Sequence, residues 1–384
     1  MHAVPTKFVR KAYMKKLLSP NRLVGIMGQR GVGKTTLLLQ YLKSNLKVTE
    51  YIYFSADDIY IADSTLYDIA DTFVKLNGRV LVIDEIHKYN NWAQELKNIY
   101  DGFPSLMVRF SGSSMLRILH ETHDLSRRCV TVPMETLGFN EYLELFRGIF
   151  ISPFKLEEIT TRASEISMDL ALSHPNLYSD FKDYLKFGAY PFFMEDRDEF
   201  KNKLYNALQK IINEDIPSCN RIPYTQTAIF KQLIARLIES RVPYKVNAAK
   251  LSKELGITNP TLLSYMEMLK DSKIFRPIKK FSTRVSRKPE KILFDNTNIL
   301  HAYADDFGIE VNRGTERETF FAGCFSKIFY SDIGDFKVGD MVFEIGGKNK
   351  TFGQIKGAPK GYLAIDTDYT TEPGKIPIWL FGMM

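Results

Sequence analysis

The sequence predicts an α/β protein that begins with a parallel sheet and continues through a helical segment into two smaller domains. Three observations support this class. Short apolar runs suited to buried strands alternate with helical segments over the first 150 residues. A glycine-rich loop joins the first of these strands to a helix. A later apolar run ends in two adjacent carboxylates, as expected at the ligand-binding edge of a parallel sheet.

Length and composition limit the number of domains and the class of protein that the chain can form. The chain has 384 residues, of which 45% are hydrophobic and 25% charged. About two or three domains are expected at this length, and no apolar run approaches the roughly 18 residues that a membrane helix needs. The N-terminus lacks the apolar core of a signal peptide, which predicts a cytoplasmic protein without membrane contact. Three scattered cysteines, Cys129, Cys219 and Cys324, predict neither a disulfide framework nor a zinc site.

The first predicted strand, residues 23–27, leads into a phosphate-binding motif. Residues 28–35 read Gly-Gln-Arg-Gly-Val-Gly-Lys-Thr, which fits glycine, four free positions, Gly-Lys and a hydroxyl residue. Gly31 and Gly33 permit positive φ, so that backbone N–H groups wrap a phosphate. The helix then begins at the anion, where Lys34 reaches the β and γ phosphates and Thr35 ligates Mg²⁺. The predicted nucleotide-binding residues are Gly28, Gly31, Val32, Gly33, Lys34, Thr35 and Thr36.

A second motif follows two further elements. The aromatic and β-branched run at residues 51–55 predicts a strand, and a helix is expected over residues 63–76. The next strand, residues 79–85, ends in Asp84 and Glu85. Because such a carboxylate lies beside the phosphate loop, Asp84 is predicted to hold Mg²⁺ and Glu85 to polarise the attacking water. The alternative for Glu85 is a surface charge at a strand end.

Hydroxyl and guanidinium groups come next. A strand over residues 106–110 ends in Ser111-Gly112-Ser113-Ser114, whose hydroxyls either sense the γ phosphate or simply form a serine turn. Arg127 and Arg128 follow. An arginine here is able to stabilise charge in the transition state, from within the chain or from a neighbour. Pairing of both arginines with surface carboxylates is the alternative.

In this order the motifs resemble a prokaryotic AAA-type ATPase family whose members carry an uncharacterised C-terminal domain. The resemblance includes Ile-His-Lys-Tyr at residues 86–89 and Leu-Gly-Phe-Asn-Glu-Tyr-Leu at residues 137–143. It extends to residues 184–191, which are similar to the lid segment of the family. It implies ATP as the nucleotide and ATP phosphohydrolase activity. It also implies that Ser113 or Ser114 is the sensor and that Arg128, rather than Arg127, is the arginine finger.

The middle of the chain is predicted to be helical. Leu, Ile and Phe recur at three- and four-residue spacing from about residue 152 to 220, which predicts a helical lid. Movement of such a lid couples nucleotide chemistry to a change of shape. Further on, one helix ends at Gly256, and Thr258 caps the next, which is a helix-turn-helix pattern. A basic run comes after the second helix, and the apolar segments on either side of it fit the two strands of a hairpin. The sequence therefore predicts a winged helix.

The predicted hairpin is strongly basic. From Lys270 to Lys291 nine Lys or Arg face two acidic residues, a surplus that equals the net charge of +7 of the whole chain. This concentration is typical of a polyanion-binding surface. We predict that the wing, Lys279 to Lys291, contacts the phosphates of double-stranded DNA, with Asn259, Thr261, Ser264 and Tyr265 available on the recognition helix. A winged helix that binds protein, with a solvated basic loop, is the open alternative.

The last segment resembles a restriction-endonuclease-like core. Carboxylates with a lysine bind Mg²⁺ and activate water in such cores, and the candidates here are Glu318, Asp335, Glu344 and Lys348. The sequence departs where the Glu-x-Lys pattern requires lysine, because Gly346 stands there and Gly347 precedes Lys348. We therefore predict a structural remnant used for binding, with a defence-type nuclease as the alternative.

The sequence thus predicts four segments. Residues 1–150 form an AAA-type nucleotide-binding core, 151–225 a helical lid, 226–305 a winged helix and 306–384 a small endonuclease-like α/β domain. The predicted activity is Mg²⁺-dependent ATP hydrolysis coupled to lid movement. The predicted partner is DNA or a protein, including another copy of the chain in a homo-oligomer. The predicted catalytic residues are Glu85, Lys34, Arg128 and Ser113, with Thr35 and Asp84 on the metal. The alternative from another class is a nucleotide-dependent switch that hydrolyses very slowly.

Overall fold

A computed structural model of the chain describes residues 4–61, 64–112, 125, 127–220, 222–240, 242–282 and 288–384. It divides into two compact units, Met1–Thr136 and Leu137–Met384. Sheets and helices are mixed in both units, which confirms the predicted α/β class. Over the described ranges, no helix is long and apolar enough to cross a membrane.

The first unit is built on the predicted parallel sheet. Its strands are β1 Leu23–Met27, β2 Tyr51–Ser55, β3 Val80–Asp84, β4 Met107–Gly112 and β5 Cys129–Pro133. They lie in the order β2-β3-β4-β1-β5, and every neighbouring pair is parallel. The helices are α1 Lys11–Leu17, α2 Lys34–Asn45, α3 Leu66–Lys75 and α4 Trp92–Gly102. Strand β5 was not predicted, because it is a half-exposed edge strand without a fully apolar run.

Parallel pairing brings the carboxyl ends of the strands to one edge of the sheet. Ile26 of β1 lies opposite Ser111 of β4, and Ile83 of β3 lies opposite Phe110. The phosphate-binding motif, which follows β1, therefore begins beside the ends of β3 and β4. Strands β1 and β3 are buried along their whole length because helices cover them, as their apolar sequences predict.

A buried arginine anchors the sheet at the end where β1 begins. Arg109 of β4 is fully buried and donates hydrogen bonds to five carbonyl oxygens. These belong to Leu17 at 2.8 Å, Ser19 at 3.1 Å, Asn21 at 2.9 Å, Arg22 at 3.3 Å and Val108 at 3.0 Å. Each guanidinium nitrogen thus has an acceptor, which a buried charge requires. The side chain ties the connection between α1 and β1 to the sheet.

The second unit begins with the predicted helices. They are α5 Phe139–Tyr142, α6 Leu156–Ser173, α7 Leu177–Asp183, α8 Phe200–Lys210 and α9 Ile216–Asn220. Three of them continue as π-helices, Leu143–Arg147 after α5, Tyr184–Gly188 after α7 and Ile211–Asp215 after α8. The ring of Phe139 packs against Phe181 and Tyr184 at centroid distances of 5.3 and 5.4 Å. The two segments that carry the family resemblance in this unit therefore share one aromatic core.

The helix-turn-helix and the hairpin come next along the chain. The elements are α10 Thr227–Glu239, β6 Tyr244–Lys245, α11 Ala248–Glu254, α12 Asn259–Asp271, β7 Phe275–Ile278 and β8 Lys291–Phe294. The strands form an antiparallel sheet in the order β6-β8-β7. Gly256 follows α11 with a φ of 64°, and the Thr258 hydroxyl accepts the Thr261 N–H, so the predicted cap is confirmed. Tyr265, expected on the surface, is buried against Phe230.

The chain ends in a mixed sheet. Helices α13 Thr297–Asp306 and α14 Arg313–Gly323 precede β9 Phe329–Tyr330, β10 Phe336–Val338, β11 Met341–Gly347, β12 Gly361–Asp366 and β13 Lys375–Pro377. The order is β13-β12-β11-β10-β9, with β9 to β11 antiparallel and β11 to β13 parallel. The strands predicted near residues 335, 341 and 361 are therefore present.

Candidate functional site

The glycine-rich loop has the backbone that its sequence predicts. Gly31 and Gly33 have φ angles of 83° and 96°, in the left-handed region that favours glycine. Gly28 begins the loop, and its N–H donates to the Gly112 carbonyl at 3.3 Å. Gly33 is the N-cap of α2, so the free N–H groups of that helix point into the loop. The loop is therefore shaped to receive an anion.

The lysine of the motif is held inside the loop. Lys34 is buried, and its ammonium group donates to the Gln29 carbonyl at 2.9 Å. Burial lowers the pKa of Lys34 to about 8, although the charges of Glu85 and Asp84 act to raise it. Thr35, in the same first turn of α2, is exposed. The loop thus combines a buried cation with an accessible hydroxyl.

Asp84 is oriented by three donors at the end of β3. Its Oδ1 accepts the Ser111 hydroxyl and the Glu85 N–H, the latter at 3.1 Å. Its Oδ2 accepts the Tyr53 hydroxyl at 3.1 Å. Burial and the Asp84 charge raise the pKa of Tyr53, so this phenol stays protonated as a donor. Both oxygens of Asp84 are therefore fixed by hydrogen-bond donors.

Two of these donors were missed or misplaced in the sequence analysis. Tyr53 was read only as a strand residue, and Ser111 was assigned to a turn, whereas it lies inside β4. The signal for Ser111 was its position one strand over from Asp84 in a parallel sheet. No local pattern marks Tyr53, because its contact depends on the register of β2 with β3.

Glu85 follows β3 in a left-handed conformation, with a φ of 50°. Its N–H also approaches the Ser111 hydroxyl at 3.2 Å, which fixes the turn. The carboxylate lies 3.4 Å from Nε2 of the buried His87. Left-handed φ is uncommon for residues other than glycine and often marks functional sites. The structure thus brings Glu85, Asp84 and Lys34 to the same edge of the sheet.

The remaining predicted residues do not join this group within the described chain. Ser113 and Ser114 lie outside the described residues. Arg128 precedes β5, and the register pairs Cys129 with Leu23, at the amino end of β1. A strand rises about 3.3 Å per residue, so Arg128 lies about 20 Å from the loop along the sheet. Its guanidinium makes a bidentate pair with Asp101, at 2.9 and 3.0 Å.

The donor set at the loop suits Mg²⁺ held together with a nucleotide. Thr35 and Asp84 supply a hydroxyl and a carboxylate, hard oxygen ligands of the kind that Mg²⁺ prefers. Where the structure describes the chain, no group of three or more His, Cys, Asp or Glu residues is arranged to hold a metal ion. Mg²⁺ is commonly bound through one or two protein ligands plus phosphate oxygens. The site therefore fits a metal that arrives with its phosphate ligand.

Comparison with known proteins supports this region as a nucleotide-binding domain. Residues 20–143 match an AAA domain. That match contains the loop, the end of β3 and Ser111. Residues 178–309 match a domain of unknown function, DUF8612. This second match spans the helix-turn-helix and most of the helices before it.

One relative and two solved structures are similar to most of the chain. The uncharacterized protein MJ1637 of Methanocaldococcus jannaschii is 29% identical over an alignment of 309 residues, gaps included, and the alignment covers 76% of this chain and 64% of that protein. The Walker-type ATPase PABY2304 of Pyrococcus abyssi has a TM-score of 0.43 at 12% identity, covering 78% of this chain and 98% of its own. The Aeropyrum pernix ORC1 protein, solved in complex with DNA, has a TM-score of 0.33 at 12% identity, covering 79% and 94%.

A second charged cluster lies in the other unit. The Lys291 ammonium, 2% exposed, is paired with Glu318 and with Asp335, the latter at 3.3 Å. Burial and the Asp335 charge raise the pKa of Glu318 to about 8. Burial lowers the pKa of Lys291, but the two carboxyl groups outweigh it and the net shift is upward. A cation from β8 therefore occupies the space between two residues that were predicted to ligate a metal.

The lysine of the predicted nuclease pattern is a different one. Lys348 is exposed in the turn after β11, whereas Lys350 reaches back to Glu344 at 2.5 Å. A Cβ atom at position 346 would lie 2.7 Å from Cγ of Lys350, so glycine at 346 leaves room for this side chain. The expectation for Lys348 was wrong because the turn brings the residue two positions later onto the carboxylate.

The basic hairpin is not a continuous free surface. Lys279 pairs with Glu267 at 2.9 Å, and Lys280 pairs with Asp332 at 2.5 Å. Lys291, predicted to contact DNA, is buried in the cluster with Glu318. Arg284 and Arg287 lie outside the described residues, and Lys288 is exposed. Much of the surplus positive charge is therefore neutralised by acidic residues outside the basic segment.

Proposed function

We propose that the chain binds ATP with Mg²⁺ at residues 28–35 and hydrolyses it. The meeting of Lys34, Asp84 and Glu85 at one edge of the parallel sheet carries this proposal. The AAA domain match over residues 20–143 supports the same nucleotide chemistry. ATP as the nucleotide rests on the family resemblance, and Mg²⁺ rests on the hydroxyl and carboxylate ligands at the loop.

Each residue has a role that follows from its surroundings. Lys34 exchanges its bond to the Gln29 carbonyl for phosphate oxygens, and the N–H groups from Gly31 to Thr36 wrap the phosphates. Thr35 and Asp84 hold Mg²⁺, which when bound neutralises phosphate charge. Glu85 orients the attacking water and accepts its proton. Ser111, His87 and Tyr53 position the two carboxylates.

Turnover and binding, measured separately, test this proposal. The wild-type protein and Glu85→Gln should bind MgATP with similar affinity, while phosphate release by Glu85→Gln falls about a hundredfold or more. Glu50→Gln is the matched control, because Glu50 lies on the surface before β2 and pairs with Arg79. Absence of ATP binding by the wild type would refute the proposal. Equal, negligible turnover by both proteins that bind ATP would favour the switch.

We further propose that Arg128 acts only across an interface between two copies of the chain. Its position at the amino edge of the sheet supports this, since its own loop lies at the other edge. The Asp101 pair would then open or be shared when a neighbour's nucleotide approaches. Residues 151–225 are proposed as the lid that responds to hydrolysis, and residues 226–305 as a winged helix.

Double-stranded DNA is the second candidate partner. The order of helices and antiparallel strands from α10 to β8 supports a winged helix, and Asn259 and Ser264 are exposed on α12. Lys279 and Lys280 form ion pairs with Glu267 and Asp332, and the proposed phosphate contacts of the wing are Arg284, Arg287 and Lys288. Replacement of these three residues by alanine should abolish DNA binding at low salt. Unaltered affinity would favour a protein partner.

For residues 306–384, nuclease activity is less well supported than a role in binding. The Lys291 ammonium between Glu318 and Asp335 competes with a divalent cation for the same carboxylates. We propose that residues 306–384 are an endonuclease-like remnant. Incubation of the protein with plasmid, ATP and Mn²⁺ tests this, since nicking that is lost in Asp335→Ala would overturn it.

A further inference from the structure

We infer that Arg30 binds the polyphosphate of the nucleotide beside Lys34 and selects for a triphosphate over a diphosphate. This inference rests on the proposed function. Arg30 occupies a free position in the Gly-x-x-x-x-Gly-Lys-Thr motif, so the motif itself assigns it no role.

The side chain has buried donors without acceptors. Arg30 is half-buried, and its Nε and Nη2 atoms are buried with no hydrogen-bond partner in the described chain. Together these two nitrogens carry three N–H donors. Arg109, in the same unit, has a carbonyl acceptor for every nitrogen. The fold therefore satisfies a buried arginine where it serves the structure, and it leaves Arg30 unsatisfied at the loop.

The position of Arg30 is electrostatically coupled to the nucleotide site. Its charge acts on Lys34, which lies four residues later at the start of α2. Two cations in one eight-residue loop repel each other until an anion arrives between them. Bound phosphates relieve this repulsion and supply the missing acceptors at once. A loop with two cations and unsatisfied buried donors suits a ligand of high negative charge.

The chemistry of the guanidinium group defines the ligand. Its planar arrangement of donors matches two oxygens of one phosphate or of adjacent phosphates. Lys34 in this motif reaches the β and γ phosphates. Because Arg30 lies in the same eight-residue loop as Lys34, we place it at the same end of the polyphosphate. A base or a ribose offers no anionic acceptor there.

Arg30→Met tests this role, because methionine keeps part of the apolar stem and removes the charge and the donors. The affinity for MgATP should fall about tenfold or more, as expected for loss of charged hydrogen bonds, and the affinity for MgADP should fall less. Arg30→Lys should recover part of the loss. Arg79→Met is the control, since Arg79 forms an exposed pair with Glu50 in the same unit.

Thermal unfolding without nucleotide separates this role from a structural one. If Arg30 serves to bind phosphate, the Arg30→Met protein should unfold at the wild-type melting temperature or higher. The reason is that the substitution removes unsatisfied buried donors. A lower melting temperature, or failure to fold, would make Arg30 structural and overturn the inference. Equal MgATP affinities of Arg30→Met and wild type would overturn the inference and leave the proposed function intact. A wild type that binds no ATP would overturn both.

Discussion

The Ser111 hydroxyl donates to Oδ1 of Asp84, although 27 residues separate the two along the chain. The contact forms because β3 and β4 are adjacent and parallel, so that both side chains lie at the carboxyl edge of the sheet. The same hydroxyl oxygen lies 3.2 Å from the Glu85 N–H. One serine therefore organises both residues of the acidic pair.

Ser111→Ala should lower the rate of hydrolysis more than it lowers ATP affinity. Loss of a group that orients a metal-binding carboxylate typically costs about 10- to 100-fold. The measurement is the kcat for phosphate release together with the Kd for MgATP. Ser55→Ala is the matched control, because Ser55 ends β2 and bonds Asp57 rather than Asp84. An unchanged kcat would show that Tyr53 and the Glu85 N–H suffice to hold Asp84.

Mixtures of two inactive variants should recover activity if Arg128 acts across an interface. Arg128→Ala should lose about a hundredfold or more in rate, as expected for an arginine finger, and Lys34→Ala should lose ATP binding. In a mixed assembly the Lys34→Ala copy supplies Arg128 to the intact loop of its neighbour. The assay is phosphate release as a function of mixing ratio. A mixture no more active than the sum of its parts would contradict an interfacial role.

Lys291→Met should destabilise the second unit strongly. Removal of one partner from a buried ion pair leaves the remaining partner without its counter-ion and typically costs about 3–5 kcal/mol. Urea unfolding followed by tryptophan fluorescence measures this, because Trp379 is buried in the same unit. Lys280→Met is the control, since its pair with Asp332 is exposed to solvent and should contribute far less to stability. Similar losses for both variants would mean that Lys291 is not the counter-ion of the cluster.

The stability of the second unit should fall as the pH rises toward 8. Glu318 has a folded-state pKa of about 8, above its ordinary value of 4.5, so the native state holds an extra proton between these values. The stabilisation is complete below pH 4.5 and is lost as pH rises, at a slope of up to about 1.4 kcal/mol per pH unit. Glu318→Gln removes this slope.

Unfolding free energies at pH 5.5, 6.5 and 7.5 compare Glu318→Gln with the wild type. Glu310→Gln is the control, because Glu310 is exposed near the same helix and should leave the slope unchanged. If the unfolding free energies of wild type and Glu318→Gln changed with pH in parallel, Glu318 would be ruled out as the source of the pH dependence.

Local sequence signals predicted much of the fold and part of the site. Strands β1 and β2 have the predicted bounds, because an apolar run and an aromatic, β-branched run each mark one element. The edge strand β5 was missed, since half of its residues face away from the core. Lys34, Asp84 and Glu85 were predicted as site residues because each lies in a motif of neighbouring residues.

The sequence by itself determined the phosphate loop, the acidic strand end and the helix-turn-helix, since each depends on residues close together in the chain. Tertiary structure decided that Tyr53 and Ser111 hold Asp84, and that Arg128 lies at the far edge of the sheet. It also decided that Lys291 is a buried counter-ion rather than a surface cation, and that Lys350 pairs with Glu344. The physical reason is that strand register and the burial of charge depend on contacts between distant segments, which no local pattern records.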